Sequence, residues 1–589
     1  MNEKNKFFWV CVLFLFITVA VGLFVLFKTK DLAIYDWDQM VSYSESARVT
    51  LVQYHQFPLW NPFVCGGMTN IGNPQNNYLS PFFIFSLLFG SITGNKLIFV
   101  ISFFIGLIGF YLLAKEYHIS TGGSILASLS YMASGLIILP TVTGMIPFMS
   151  IFLVPFIIVL YMRTLKERSI RLVVIGSLFI GGLFSQIFFY GNIHFYYFML
   201  LLCMMAFWDA VATKNIKPIY IIALCIGSFI LLSAVKLFPS LAVLERNPRI
   251  IMTTEKSGYT IPILFQSLIN RHQTIEWKDG TSNGILNGIP LLYGVDENGM
   301  YVGWIVLTLC MMGIFISIKH HDWKSIFLFT IFVWLALGVY APFNLNVYLR
   351  HFPPFTYMRV MQRYRYVFMI FFVLFVGKGF DCILAILKKV VSHPKLLVIQ
   401  GCIILTVGID LFLAHRYTVN TIQFETYPQK HEEVNYSQHC APRNTSMYPF
   451  VHNNQGIISC YEPLRIVKYS SCQEDSRYKG EIYLRSHNGN IISHSFSPNV
   501  ITTQVFLQKK DRLIVNQNFS SGWFALMDYK SIIPAANTEG LLSIPIDSGK
   551  HSVSFYYLPW EFIAGFITSL AGYAGIIWLI VRWYFRSRG

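Results

Sequence analysis

The sequence predicts an α-helical polytopic membrane protein of about twelve spans, with a β-rich domain inserted before the last span. Three observations predict this. Of 589 residues, 54% are hydrophobic and only 13% charged, with a mean hydropathy of +0.52. Ordinary soluble domains carry about 25% charged residues. A soluble chain of this length would divide into several domains, each needing a polar surface. The charge is too sparse for that, so a soluble multidomain enzyme, a disordered chain and a collagen-like fibre are excluded. The second observation is a recurrence of long apolar runs. The third is one polar stretch, 415–559, that alternates like strands.

A membrane-crossing helix needs about 20 mostly apolar residues. Such runs occur at 7–27, 96–114, 121–143, 147–163, 171–189, 194–211, 218–237, 301–318, 325–342, 366–387, 396–414 and 560–581. The first is too long for a signal peptide and no small-residue cleavage site follows it, so it reads as an uncleaved helix. The segment 81–94 is apolar but short and reads as an interfacial or re-entrant helix. With alternating spans, Lys4, Lys6, Lys115, Arg163, Lys166, Arg168, Arg171, Lys214, Lys217, Lys319, Lys324, Lys388, Lys389, Lys395, Arg582, Arg586 and Arg588 share one side. The positive-inside rule makes that side cytoplasmic, with both termini on it. The net charge of +16 is then largely topogenic, and a nucleic-acid partner is not expected.

Everything long lies on the other side: loops 28–95, 238–300 and 343–365, and the stretch 415–559. The chain thus divides into a membrane module (1–414), an extracytoplasmic β-rich domain (415–559) and a last helix with a basic tail (560–589). In the β-rich part, ITTQVFLQ, RLIVNQNF, LLSIPI and HSVSFYYL alternate between turn residues. No CxxC pair occurs among the ten cysteines. Cys11, Cys203, Cys225, Cys310, Cys382 and Cys402 lie in apolar runs. Cys460 and Cys472 are candidates for a disulfide, and Cys440 leaves the pairing open.

The first long loop carries the chemistry. It opens Tyr35-Asp36-Trp37-Asp38-Gln39 and continues through Pro58-Leu59-Trp60-Asn61-Pro62, Cys65-Gly66-Gly67 and Gly72-Asn73-Pro74-Gln75. Acids beside a membrane are costly unless they face water, a metal or a reacting group. In an extended segment Asp36 and Asp38 point the same way. They could share a divalent cation, Mg or Mn, the one cofactor this reading admits. Alternatively, one is a general base for an acceptor hydroxyl, or the pair is a helix N-cap or solvated loop. Trp60 is a candidate to stack on a sugar or to sit in the interfacial belt. Asn61, Asn73 and Gln75 are candidates to bind polar substrate groups.

On the outer side Arg246, Arg249, Arg271, Arg350, Arg359, Arg363 and Arg365 are available, and arginine forks suit phosphate oxygens. Arg359 and Arg363, four apart, share a face if the following helix extends back over them. They bind a headgroup or pair with acids such as Glu245. His194, near a helix end, either lines the cavity or is structural. Lys236 either snorkels or meets the phosphate. Glu255, Lys256 and Asp279 read as loop residues. No GxSxG, P-loop or HExxH motif occurs.

DWDQ followed by QFPLWNPFVCGGMTNIGNPQNNYLSPFF resembles the first outside loop of the YfhO-like bacterial membrane proteins, within the GT-C superfamily of polytopic glycosyltransferases. Leu237-Phe238-Pro239 with Glu245 and Pro248-Arg249, and Tyr357-Met358-Arg359-Val360-Met361-Gln362-Arg363-Tyr364, resemble further elements of that family. So do Ser521-Gly522-Trp523, Gly549-Lys550-His551 and Tyr557-Leu558-Pro559. The resemblance implies a GT-C-like fold and transfer of a sugar from a polyprenyl-phosphate donor to an extracytoplasmic glycan, lipid or protein. It also implies that Asp36 or Asp38 is the catalytic base or metal ligand. The rival classes are a transporter or flippase, and a non-catalytic assembly factor for cell-surface polysaccharide. Spans nearly free of acids and the absence of matching halves speak against a transporter.

Overall fold

The computed structural model describes residues 3–28, 31–32, 36–248, 257–273, 285–286, 289–290, 293–421, 435–440, 447–458 and 469–586. Among these, eleven helices are long and apolar enough to cross a membrane. They begin with Asn5–Gly22 and Ser91–Glu116 and end with His393–Arg416 and Trp560–Trp583. The chain is therefore a polytopic helical membrane protein. The run expected at 301–318 forms the helix Trp304–Lys319, only 16 residues long. At 1.5 Å per residue it covers about 24 Å, short of a ~30 Å hydrocarbon core. Gly313 lets it press onto the helix Arg365–Leu387, where an added Cβ would lie 1.8 Å from the Phe375 carbonyl oxygen. Small residues permit this approach, and dispersion replaces a hydrophobic drive that lipid cannot supply.

The segment 81–94 is not a span. It forms a 3₁₀ turn at Pro81–Phe83 and a short helix Ile84–Phe89, then breaks at Gly90 before the helix Ser91–Glu116. Ser80 caps the turn by accepting a hydrogen bond from the Phe82 amide.

The β-rich part is a pair of antiparallel sheets. One orders its strands Ala536–Thr538, Leu541–Ile546, Asp511–Asn518, Ile482–Leu484. The other orders them Ser531–Pro534, Trp523–Met527, Gly549–Tyr557, Val500–Leu507, Gly489–Phe496. Val505, Leu513, Val515, Leu542, Ile544, Val553 and Phe555 are buried between them. Leu59, Trp60, Ile71 and Tyr78 of the first loop belong to the same core. The loop is therefore part of the domain's hydrophobic interior. Cys440 pairs with Cys472, and Cys65 is also in a disulfide. Cys460 lies outside the described residues.

Candidate functional site

Asp36 opens the helix Asp36–Val52, so the extended Asp-x-Asp geometry is corrected. Two acids in a first turn suit the positive end of the helix dipole. In a helix, positions i and i+2 point to different sides, and the two carboxylates part company. Asp38 is buried. One of its oxygens accepts the Met447 amide at 2.6 Å and the other the Tyr448 amide at 3.0 Å. It thus caps the helix Met447–His452 of the segment that leads into the β domain.

Asp36 is held where it is by the turn after the helix Gly135–Thr143. Gly144 sits there at φ +95°, and a Cβ on it would lie 2.0 Å from the Trp37 amide nitrogen. Only glycine fits, by conformation and by space. The Trp37 indole N–H donates to the Val142 carbonyl at 3.1 Å. The Asp36 side chain is half-buried. Its surroundings include the acid Glu297 and two guanidinium groups, Arg363 and Arg359. Burial, then Glu297, push its pKa up to about 6, against the pull of the two arginines.

Glu297 and its neighbour Asp296 come from a single buried turn, Val295–Asn298. Asn298 anchors that turn through the Tyr293 and Gly294 carbonyls, both at 3.0 Å. Tyr259 donates to the Asn298 carbonyl at 2.7 Å. Glu297 takes the Arg363 guanidinium as a fork, with Nε donating at 3.1 and 3.0 Å and Nη2 closing the pair. Burial raises the Glu297 carboxyl, but Arg363, Arg365 and Arg359 together hold it below its ordinary value. Asp296 is pushed up to about 7 by burial, then by Glu297 and Asp36. Arg365 donates to the Asp296 backbone carbonyl rather than its carboxylate.

His194 joins this cluster. Its Nε2 pairs with Arg363 Nη1, and its ring stacks on Phe148 and Tyr197 with centroids 5.3 and 5.7 Å away. The Arg363 guanidinium also lies 5.0 Å from the Phe148 centroid. Arg359 lies over the Tyr293 ring at 5.6 Å. The helix starts only at Arg365, after a 3₁₀ turn at Met361–Tyr364. Arg359 and Arg363 therefore converge on the acids without sharing a helical face.

Other candidates go elsewhere. Trp60 is fully buried. Its indole N–H donates to Gln517 Oε1 at 3.1 Å, and its ring packs on Trp523 and Tyr557 at 5.4 and 4.8 Å. Neither sugar stacking nor a membrane belt is open to a ring enclosed in the β domain. Asn61 is buried and accepts the Phe63 amide, and Asn73 accepts the Gln75 amide. The Gln75 carbonyl lies against Gly191. These side chains shape the loop. Lys236 donates to the Asn76 and Phe188 carbonyls at 2.6 and 2.9 Å, tying the loop to two helices. Glu245 is exposed. Arg246 pairs with Glu561, and Arg271 with Asp410. Arg350 donates to the Met358 carbonyl. Arg249, Glu255, Lys256 and Asp279 lie outside the described residues.

Asp296 and Glu297 were not singled out from the sequence. Their signal was there: two adjacent acids between Gly294 and Gly299, a few residues before an apolar run.

A 570 Å³ apolar groove runs between the helices, lined by Leu13, Phe16, Phe103, Ile404 and Leu405 among others. Trp37, next to Asp36, forms part of its wall, as do His415 and the exposed Arg416.

The donor set does not fit Mg or Mn at the Asp-x-Asp pair. Both Asp38 oxygens are occupied by backbone amides, and Asp36 faces two guanidinium groups. A hard cation needs several converging oxygens.

No protein-family model matches the chain, and no curated protein matches it. Among solved structures it is similar to the cryo-EM structure of arabinofuranosyltransferase AftD from Mycobacteria. The TM-score is 0.43 at 13% identity, covering 69% of this chain and 26% of that one. The chain thus spans about a quarter of that protein's length.

Proposed function

We propose that the chain is an integral-membrane glycosyltransferase of GT-C type. It moves a sugar from a polyprenyl-phosphate donor to an extracytoplasmic glycan, lipid or protein acceptor. The β-domain face is then extracytoplasmic and both termini are cytoplasmic. The observation that carries this reading is Asp36. It is a half-buried carboxylate with its pKa near 6, flanked by arginines and adjoining an apolar groove through Trp37.

In this reading the groove takes the donor's isoprenoid tail. Arg359 and Arg416 bind the donor phosphate. Asp36 accepts the proton of the acceptor hydroxyl as that oxygen attacks the anomeric carbon. The anomeric C–O bond breaks and polyprenyl phosphate leaves with the electron pair. A base with a pKa near the working pH suits this step. Arginine forks stabilise the phosphate as its charge grows. Glu297 fixes Arg363, and through it His194, so that the wall of the site is rigid before substrate enters.

The test is sugar transfer in membranes carrying the wild type, Asp36→Asn or Asp38→Asn at equal protein levels, with a panel of polyprenyl-phosphate sugars. Loss in Asp36→Asn, with Asp38→Asn retaining transfer in its folded fraction, supports the assignment. Equal transfer by all three removes Asp36 from the chemistry.

A further inference from the structure

We propose that the β domain carries a separate binding pocket for a neutral sugar residue of a glycan chain. The site is a 360 Å³ cavity between Asn435, Tyr436 and Asn454, in the segment leading into the domain, and strand residues of both sheets. Its lining includes Asn435, Asn454, Glu481, His494, Ser495 and the aromatic Phe496.

The chemistry of that lining selects the ligand. Among the described lining residues there is no lysine or arginine, and there is one carboxylate. A phosphate or uronate would meet a carboxyl and no lysine or arginine to balance its own charge. Amides, a hydroxyl and a carboxylate together offer both donors and acceptors. That matches the hydroxyls of a neutral sugar, and an aromatic side chain suits its C–H face. Burial pushes Glu481 up to about 7, so near neutrality the group serves as acceptor or donor.

The pocket is built before any ligand arrives. Glu481 Oε1 accepts the Gln438 amide at 2.7 Å and the Tyr478 hydroxyl at 2.9 Å, and Asn516 donates to Oε2 at 3.2 Å. Phe496 stacks on Tyr436 with centroids 3.6 Å apart. The Tyr436 hydroxyl donates to the Pro62 carbonyl at 2.6 Å and accepts from Gln517 at 2.7 Å. The Tyr54 hydroxyl donates to Asn454 at 2.6 Å. The wall is thus built by the β domain and the segment leading into it, and the first loop braces it through Tyr54 and Pro62. Sites at such junctions, with side chains already fixed, lose little affinity to ordering. That the glycan held here is the acceptor rests on the transferase reading above; the pocket itself does not.

The test is binding to the full-length protein in nanodiscs, read by saturation-transfer NMR and calorimetry. The probes are neutral hexoses, N-acetylhexosamines and their disaccharides, with glucuronate and inorganic phosphate as anionic controls. At least one neutral sugar is expected to bind, with a Kd on the order of millimolar, and the anions are not. Ser495→Trp fills the pocket mouth from an exposed strand position and should weaken binding at least tenfold. Asn435→Ala, at an exposed position, removes one amide and should weaken it several-fold without affecting folding. No binding by any neutral sugar, equal binding by the anions, or unchanged affinity in both variants overturns the proposal. Binding is also measured on Asp36→Asn, where it should equal wild type. If transfer is absent but binding persists, the transferase reading fails and the pocket stands. If binding is absent but transfer persists, the pocket fails alone.

Discussion

On the bundle face away from the β domain, Lys324 reaches Asp209 at 2.6 Å, Lys378 pairs with Asp322, and Arg163 reaches Glu116 at 2.6 Å. Asp209 and Asp322 each hold one lysine, and Glu116 holds Arg163 with Lys166 further off at 3.8 Å. On the face beneath the domain, Asp36, Asp296 and Glu297 share one region with Arg359, Arg363 and Arg365. There Glu297 takes the Nε and Nη2 edge of Arg363, His194 takes Nη1, and Arg365 donates to a backbone carbonyl. Asp36 and Asp296 are left with raised pKa values. The difference shows how a membrane protein keeps a base. One-to-one pairing neutralises a charge and makes it structural. A carboxylate left over from such pairing stays basic enough to take a proton near neutral pH.

The largest expected effect breaks the comparison at its centre. Asp36→Asn should reduce transfer by about 10²- to 10⁴-fold, the usual worth of a general base, with thermal unfolding in detergent unchanged. Glu297→Gln comes next. It strands a buried guanidinium, which costs about 3–5 kcal/mol, and the unfolding midpoint should fall sharply. Trp60→Ala should cost a similar ~3–5 kcal/mol by opening a cavity in the β domain. Proteolysis of that domain would report it.

The pH profile sharpens the same point. With the Asp36 pKa near 6, transfer should be flat above that pH and fall about tenfold per unit below it. Arg359 pulls this pKa down, so Arg359→Gln should move the acid limb to higher pH. The folded carboxyl holds its proton more tightly than the unfolded one near 3.8. Its contribution to stability is therefore present at low pH and lost as the pH rises through about 6. The smallest effect belongs to the opposite face. Arg163→Ala removes an exposed partner of Glu116 and should change stability by less than about 1 kcal/mol.

Much of the fold was legible from residue patterns. The strands read at ITTQVFLQ, RLIVNQNF, LLSIPI and HSVSFYYL fall on Val500–Leu507, Asp511–Asn518, Leu541–Ile546 and Gly549–Tyr557. Val500–Leu507 buries alternate residues, as a strand with one covered face must, whereas Asp511–Asn518 and Leu541–Ile546 are buried on both faces. The site was legible only in part. Asp36, His194, Arg359 and Arg363 were named and do converge. Asp38 and Trp60 were named and do not, because each is claimed by the β domain some 400 residues further along. No local pattern records such a distant partner.

Composition and apolar run length by themselves determined that this is a membrane protein with a polar β domain. Both are sums over residues, and neither needs a partner to be known. Tertiary structure decided which acid keeps its basicity. A carboxylate's pKa depends on what surrounds it within a few ångströms. Here that is Glu297 and Arg363, brought from about 260 and 330 residues away. The same packing placed an apolar groove beside Asp36 and a polar pocket in the β domain. Both are spaces between elements, and a space has no sequence of its own.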